Sequence, residues 1–175
     1  MSMSLGIMWG DGRGKTENGR MANIRMKIIC DTALLCEAVA NVSRAVSGKS
    51  ALPVLSGILF RTGDRSVTLS GYDLEMGITT TIEAQVEEPG ELVLSARLLF
   101  DMLKRMPAQR VEMACDEKLL TVIRGGTAEF TILAMEASEF PDMPTPQQED
   151  SITLPQPTLK SMILQTIFAV AVGDS

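Results

Sequence analysis

Two carboxylates near the middle of the chain, Asp73 and Glu75 in the segment GYDLE, have the spacing of a catalytic or metal-binding pair. Residues two apart share one face of a strand, so both side chains could bind a metal ion or exchange protons with a substrate. No third ligand or nucleophile accompanies them, and the chain has no histidine. A turn-stabilising role for Asp73 is therefore favoured, and we predict no catalytic residue, no metal and no cofactor.

A second motif, GDGRGKT at residues 10–16, ends like the loop that binds nucleotide phosphates. That loop requires a glycine five positions before Gly14, where this chain has Trp9, and no predicted strand precedes it. We therefore assign no nucleotide site to this motif.

The three cysteines, Cys30, Cys36 and Cys115, fit neither a disulfide framework nor a zinc site. Two of them lie in apolar strand patterns, which predicts buried free thiols. Free thiols are typical of the reducing cytoplasm.

The composition limits the class of protein further. Hydrophobic residues make up 45% of the chain and aromatic residues only 4%, so aliphatic side chains and twelve methionines must fill the core. No apolar run is long enough to span a membrane. Residues 1–25 are rich in glycine and polar residues without periodicity, which predicts a disordered leader and a folded part that begins at Met26.

From Met26 onward the sequence repeats itself. Each copy has an alternating strand, a helix-opening residue (Asp31 or Ser95), a helical apolar stripe and then strand-like segments. The matching residues, at a constant offset of 64, are Ile28, Cys30, Asp31, Leu34 and Leu35 against Leu92, Leu94, Ser95, Leu98 and Leu99. The first stripe is Leu34, Leu35, Ala38, Val39, Val42 and Val46, and the second is Leu98, Leu99, Met102, Leu103 and Met106. The predicted later strands are 57–61, 67–71, 78–84, 111–115, 119–123 and 128–133. This pattern predicts an α+β fold with repeated β-α-β-β-β units, in which two helices pack on antiparallel sheets.

A looser third copy starts at Ile152 and has Pro155 as its helix-opening residue. The proline-rich stretch PDMPTPQQED separates it from the first two copies. We therefore expect one domain at 26–145, then a linker and the truncated beginning of another domain at 146–175. The helix of this third copy, with Leu159 and Ile163 in its stripe, cannot bury that stripe without further strands.

Basic residues concentrate around the two helices, although the net charge is −6. On a helical projection they fall opposite or beside the apolar stripes, or just after a helix. They are Arg44, Lys49, Arg97, Lys104 and Arg105. A solvated helix face is the ordinary interpretation of such residues, and contact with a polyanion is the functional one.

Four segments in fixed order carry a resemblance to a known family: SRAVSGKSALPVLSGILF (43–60), VTLSGYDLE (67–75), LVLSARLLFDMLKRMP (92–107) and SEFPDMP (138–144). Together they resemble the amino-terminal domain of the bacterial replication sliding clamp, the beta subunit of DNA polymerase III. The resemblance implies a DNA-clamp fold and a non-catalytic processivity factor that encircles double-stranded DNA. It implies as partners DNA polymerase III, the clamp loader and a second subunit in a head-to-tail homodimer ring.

The resemblance also assigns roles to residues. The basic helix faces would meet DNA phosphates, and Lys49 stands where the family often has a DNA-contacting arginine. Gly173 stands where some members have a DNA-contacting glutamine. The strand with Phe130 and Ile132, with Met102 and Met106 beside it, would form the subunit interface. The alternative is a β-rich protein-interaction module without DNA binding.

Overall fold

The computed structural model describes residues 24–48, 52–144 and 153–170 of the 175-residue chain. The first repeat comprises β1 (Ile24–Asp31), α1 (Thr32–Val42), β2 (Gly57–Thr62), β3 (Ser66–Tyr72) and β4 (Gly77–Glu88). The second comprises β5 (Glu91–Ser95), α2 (Ala96–Leu103), β6 (Arg110–Asp116), β7 (Leu120–Gly125) and β8 (Ala128–Leu133). The predicted repeat of β-α-β-β-β units is confirmed.

The eight strands form one antiparallel sheet in the order β5-β2-β3-β4-β1-β6-β7-β8. The first strand of each repeat pairs with the other repeat, because β1 lies beside β6 and β5 lies beside β2. The long strand β4 joins the two halves, pairing with β3 along its first part and with β1 near its end. The two repeats therefore share one sheet and cannot form their pairings separately.

Both helices pack against the same apolar core as the strands. From α1 the residues Leu35, Val39 and Val42 are buried, and from α2 the residues Leu99 and Leu103. Asp31 opens α1 as predicted, since its carboxylate accepts hydrogen bonds from the backbone N–H groups of the next helical turn. Ser95 precedes α2 without a side-chain capping bond.

The predicted apolar stripes were wrong at one equivalent position in each helix. Leu34 is 48% exposed and Leu98 is 49% exposed. Each lies about 100° around the helix from its buried neighbour Leu35 or Leu99. Each leucine consequently stands at the margin of the stripe, where the sheet no longer covers it.

The folded part also begins before the predicted start at Met26. The strand β1 begins at Ile24, and the Arg25 guanidinium donates two hydrogen bonds to the Glu136 carboxylate, at 2.7 and 2.6 Å. The neighbouring residue Met135 exchanges backbone hydrogen bonds with Val93 of β5. The segment after β8 is thus fixed to the domain. The rest of the predicted leader lies outside the described residues.

The Arg25–Glu136 pair should make stability depend on acid pH. The Arg25 hydrogen bond holds the pKa of Glu136 below its ordinary value of 4.5. A carboxyl group whose pKa is lowered by folding stabilises the protein above its unfolded pKa, and this contribution is lost as pH falls through the folded value. We expect Glu136→Gln to lower the free energy of unfolding near neutral pH and to cost progressively less below pH 4.5.

Chemical denaturation across acid and neutral pH would measure this difference. The matched control is Glu139→Gln, since Glu139 is exposed and makes no ion pair within the described part of the chain. A deficit in Glu136→Gln that stayed constant with pH would contradict the role of the ion pair.

The end of α1 is seated on β3 at a glycine. A Cβ atom on Gly71 would lie 2.5 Å from the carbonyl oxygen of Val42 and 2.9 Å from its Cγ1. Only a residue without a side chain permits this approach. The backbone that follows α1, including Arg44, takes its position from this contact.

Gly71→Ala should therefore lower the free energy of unfolding by about 1–3 kcal/mol, the usual cost of overpacking a core. Gly48→Ala is the control, because a Cβ atom there meets nothing within 4 Å. Equal stabilities for the two variants in denaturant titrations would show that α1 can move away from β3 without cost.

The second unit begins at Pro144 and contains helix α3 (Gln156–Thr166), followed by a 3-10 turn at Ile167–Ala169. All its described side chains are exposed, including Leu159 (45%) and Ile163 (50%) of the predicted stripe. Among the described residues, no helix is long and apolar enough to cross a membrane.

Candidate nucleic-acid interface

Three of the predicted DNA-contacting residues lie on or just after α2. This helix buries Ala96, Leu99 and Leu103, so Arg97 and Lys104, seven positions apart, share the exposed side. Lys104 continues the helical backbone, and its N–H donates to the Phe100 carbonyl at 3.1 Å. Arg105 follows and is also exposed.

An aromatic ring positions one of these cations. The ammonium of Lys104 lies 4.1 Å from the centre of the Phe100 ring, within the range of a cation–π interaction. This contact was not predicted from the sequence, although Phe100 and Lys104 have the four-residue spacing at which helical side chains meet.

Arg44 comes from the first repeat. It lies in a short 3-10 helix, Ser43–Ala45, that continues α1. The neighbours Val42 and Ala45 are buried, which leaves Arg44 exposed. The helices α1 and α2 pack against each other, so their exposed sides belong to neighbouring elements. Lys49 and Gly173 lie outside the described residues.

The cations around the helices differ from those on the strands in their partners. Within the described residues, four of the five strand cations form ion pairs with carboxylates, and Arg110 is the exception. The pairs are Arg25 with Glu136 (2.6 Å), Lys27 with Glu87 (2.8 Å), Arg61 with Glu91 (2.8 Å) and Arg124 with Glu129 (2.6 Å). In the same part of the chain, Arg44, Arg97, Lys104 and Arg105 pair with no carboxylate. The helix cations are therefore available to an external anion.

Two acidic residues, Glu37 on α1 and Asp101 on α2, share the exposed helix sides. Against four cations they leave a positive excess, although the chain as a whole has a net charge of −6. Exposed cations that pair with no carboxylate can form salt-sensitive contacts with phosphate groups.

The Asp73–Glu75 pair is a turn, as favoured above. The Asp73 carboxylate accepts hydrogen bonds from the backbone N–H groups of Met76 (2.6 Å) and Glu75 (3.0 Å), which lower the pKa of Asp73. Leu74 between them takes a φ of 79°, a strained value that these hydrogen bonds hold in place. Among the described residues, no group of three histidine, cysteine or acidic side chains could hold a metal ion.

Two of the cysteines and one cleft contribute none of the predicted site residues. Cys30 and Cys115 are buried free thiols as predicted, and burial raises the pKa of Cys30 to about 12. A cleft of about 1040 Å³ lies where β4 passes to β1, with Asp31, Arg65 and Glu83 in its lining. It contains none of the predicted site residues.

The residues predicted for a subunit interface lie at one end of the sheet and near the end of α2. Ile132 and Met106 are only 6% and 9% exposed and belong to the core, whereas Phe130 and Met102 are half-buried against it. Any partner on this side would therefore meet the backbone edge of β8 more than the Ile132 side chain.

Comparison with known proteins connects this fold to a family. Residues 26–144 match the family described as DNA polymerase III beta subunit, N-terminal domain. The beta sliding clamp of Bacillus subtilis (strain 168) is 33% identical over 158 residues, which is 86% of this chain and 42% of that protein.

Solved structures agree with the sequence match. The DNA polymerase sliding clamp from Bacillus subtilis has a TM-score of 0.82 at 33% identity, and covers 86% of this chain and 42% of that one. The DNA polymerase III beta subunit from Thermotoga maritima has a TM-score of 0.76 at 27% identity, covering 86% and 41%. The chain thus spans less than half the length of these relatives. A family match over most of its length, together with the same fold, shows that this chain belongs to the DNA polymerase III beta subunit family.

Proposed function

We propose that this chain forms the first part of a sliding clamp, a ring that encircles duplex DNA and tethers the replicative polymerase to it. The observation that carries the proposal is the contrast between the unpaired cations around α1 and α2 and the ion-paired cations on the strands. Family membership supports the same function, since the relatives compared above are sliding clamps.

The proposed mechanism is topological. A closed ring stays on DNA because it cannot dissociate sideways, so each contact with the duplex can be weak. Contacts between Arg or Lys and phosphate carry no sequence information and are weakened by salt, which suits a protein that must move along DNA. The helix cations Arg44, Arg97, Lys104 and Arg105 would make such contacts, and we propose the same for Lys49.

In this proposal the chain is a non-catalytic accessory subunit. The sequence contains no histidine, and the Asp73 carboxylate accepts a backbone hydrogen bond within its own turn. Its partners would be duplex DNA, DNA polymerase III, the clamp loader and a second subunit joined head to tail at β8. The free cysteines fit a reducing cytoplasm.

A protein-interaction module without DNA binding is the alternative. The net charge of −6 favours it. So does strand β8, whose outer edge pairs with no strand in the described part of the chain. The two functions differ in what the helix cations do, so duplex binding separates them.

Replacing Arg97, Lys104 and Arg105 by alanine should weaken binding to a short DNA duplex and flatten its salt dependence. Each lost phosphate contact should reduce the slope of log affinity against log salt by about 0.9, because one fewer counterion is released. Fluorescence anisotropy of a labelled duplex across a series of salt concentrations would measure both quantities.

The matched control replaces Arg61, Lys118 and Arg124, which changes the net charge equally but lies outside the helix surface. It should retain the slope of the unmodified chain. Equal slopes for both triple variants would refute the proposed DNA contact and favour the interaction module.

A further inference from the structure

One cation of the helix surface has a partner that carries no charge. The Lys104 ammonium lies 4.1 Å from the centre of the Phe100 ring, which is the distance of a cation–π interaction. The face of an aromatic ring attracts a cation, but the ring has no net charge. Lys104 is therefore held against its helix without being neutralised by a carboxylate.

A carboxylate also lies within helical reach of Lys104. Asp101 stands three residues before it, a spacing at which helical side chains meet, and is exposed. No ion pair joins Asp101 to Lys104 in the described part of the chain, and the ammonium lies over the ring instead. Of the two partners within reach, the Lys104 side chain thus takes the uncharged one.

The Phe100 ring is itself fixed by the domain. Phe100 is half-buried and packs against the main core, to which Leu99 and Leu103 of the same helix belong. The Lys104 backbone N–H donates to the Phe100 carbonyl at 3.1 Å, so helical spacing continues through both residues. A helical side chain leans over the turn before its own, which carries the Lys104 side chain back towards the ring. The ammonium consequently has a defined position at the end of α2.

A cation held in this way is suited to contact with phosphate. An ammonium that is paired with a carboxylate must give up that partner before it binds another anion, whereas an ammonium over a ring can still direct N–H donors outward. A lysine side chain also loses rotamer freedom when it binds. Part of that loss is already made in the free protein, which favours binding.

We infer that Phe100 is a positioning residue of the helix surface: its ring holds the Lys104 ammonium away from Asp101 and orients it for contact with a phosphate group. The inference rests on the proposed function, because the phosphate would belong to duplex DNA. It adds an uncharged residue to that surface. Duplex affinity should depend on the ring, and it should do so only through Lys104.

Replacing the ring tests this inference on the whole 175-residue chain. Phe100→Leu keeps an apolar side chain against the core but removes the π face, and it should weaken binding to a labelled duplex about two- to fivefold at low salt. Phe100→Tyr keeps a ring and should bind as tightly as the unmodified chain. When Lys104→Ala is already present, Phe100→Leu should cause no further loss of affinity.

Asp101 provides a second measurement. Without the ring, the Lys104 side chain should turn to Asp101. Asp101→Asn should then raise duplex affinity by a larger factor in the Phe100→Leu chain than in the unmodified chain. The difference between the two factors separates positioning from the general gain of removing a negative charge.

The contact can also be observed without DNA. A proton above an aromatic ring is shifted upfield in the NMR spectrum by the ring current. The methylene protons beside the Lys104 ammonium should show this shift in the unmodified chain and in Phe100→Tyr, and should lose it in Phe100→Leu.

Phe140→Leu is the control for a loss of packing. Phe140 is only 7% exposed and belongs to a separate apolar cluster that includes Tyr72. Its replacement removes a more deeply buried ring away from α2, so it should leave duplex affinity unchanged.

Three results would overturn the inference and leave the proposed function intact. Phe100→Leu could bind the duplex as tightly as the unmodified chain. It could instead weaken binding equally with and without Lys104, which would show that the ring acts through the packing of α2. The Lys104 protons could lack the ring-current shift in the unmodified chain. Failure of the unmodified chain to bind the duplex is a different result, which would remove the proposed function and the role of Phe100 together.

Discussion

The exchange of first strands between the two repeats is the constraint on which the rest of the domain depends. Because β1 pairs with β6 and β5 pairs with β2, neither repeat can close its sheet alone. One continuous sheet results, with one main core and both helices packed against it. The helices pack against each other and each keeps exposed residues on its remaining side, while the sheet has β5 and β8 as its outermost described strands. The candidate DNA surface and the candidate subunit junction both follow from this one pairing.

The elements of this exchange could be predicted from the sequence, but the exchange itself could not. Alternating apolar residues gave strands within two or three residues of the observed ones at most positions, and the predicted strand 128–133 coincides with β8. Pairing is decided by contacts far apart in sequence, such as Ile28 with Met113, and periodicity contains no information about them. The exposure of Leu34 and Leu98 likewise depends on contacts that are far apart in sequence. A helical stripe shows which residues could be buried, whereas the neighbouring elements decide how wide the covered strip is.

For the candidate site, the sequence predicted which cations are exposed but not which of them are ion-paired. Helical projection placed Arg97 and Lys104 on an exposed side, which the structure confirms. Projection could not distinguish a free cation from a paired one, because ion pairs on a sheet join residues such as Arg25 and Glu136 that are 111 positions apart. The sorting of cations into paired and unpaired groups therefore appears only in three dimensions. It is also what gives the helix faces a functional interpretation beyond ordinary solvation.

The two groups of cations suit opposite physical demands. A contact that slides must exchange one phosphate for the next, so its cation should have no fixed partner and its energy should be small and sensitive to salt. A junction between strands must keep one register, so its charges should be fixed by neighbours on both sides. In the proposed clamp, Arg97, which is exposed and pairs with no carboxylate among the described residues, would meet the first demand. Arg124, which lies between Glu112 and Glu129, would meet the second. In the proposed clamp, an acidic domain would bind a polyanion on its helices because several of its strand carboxylates are engaged with strand cations.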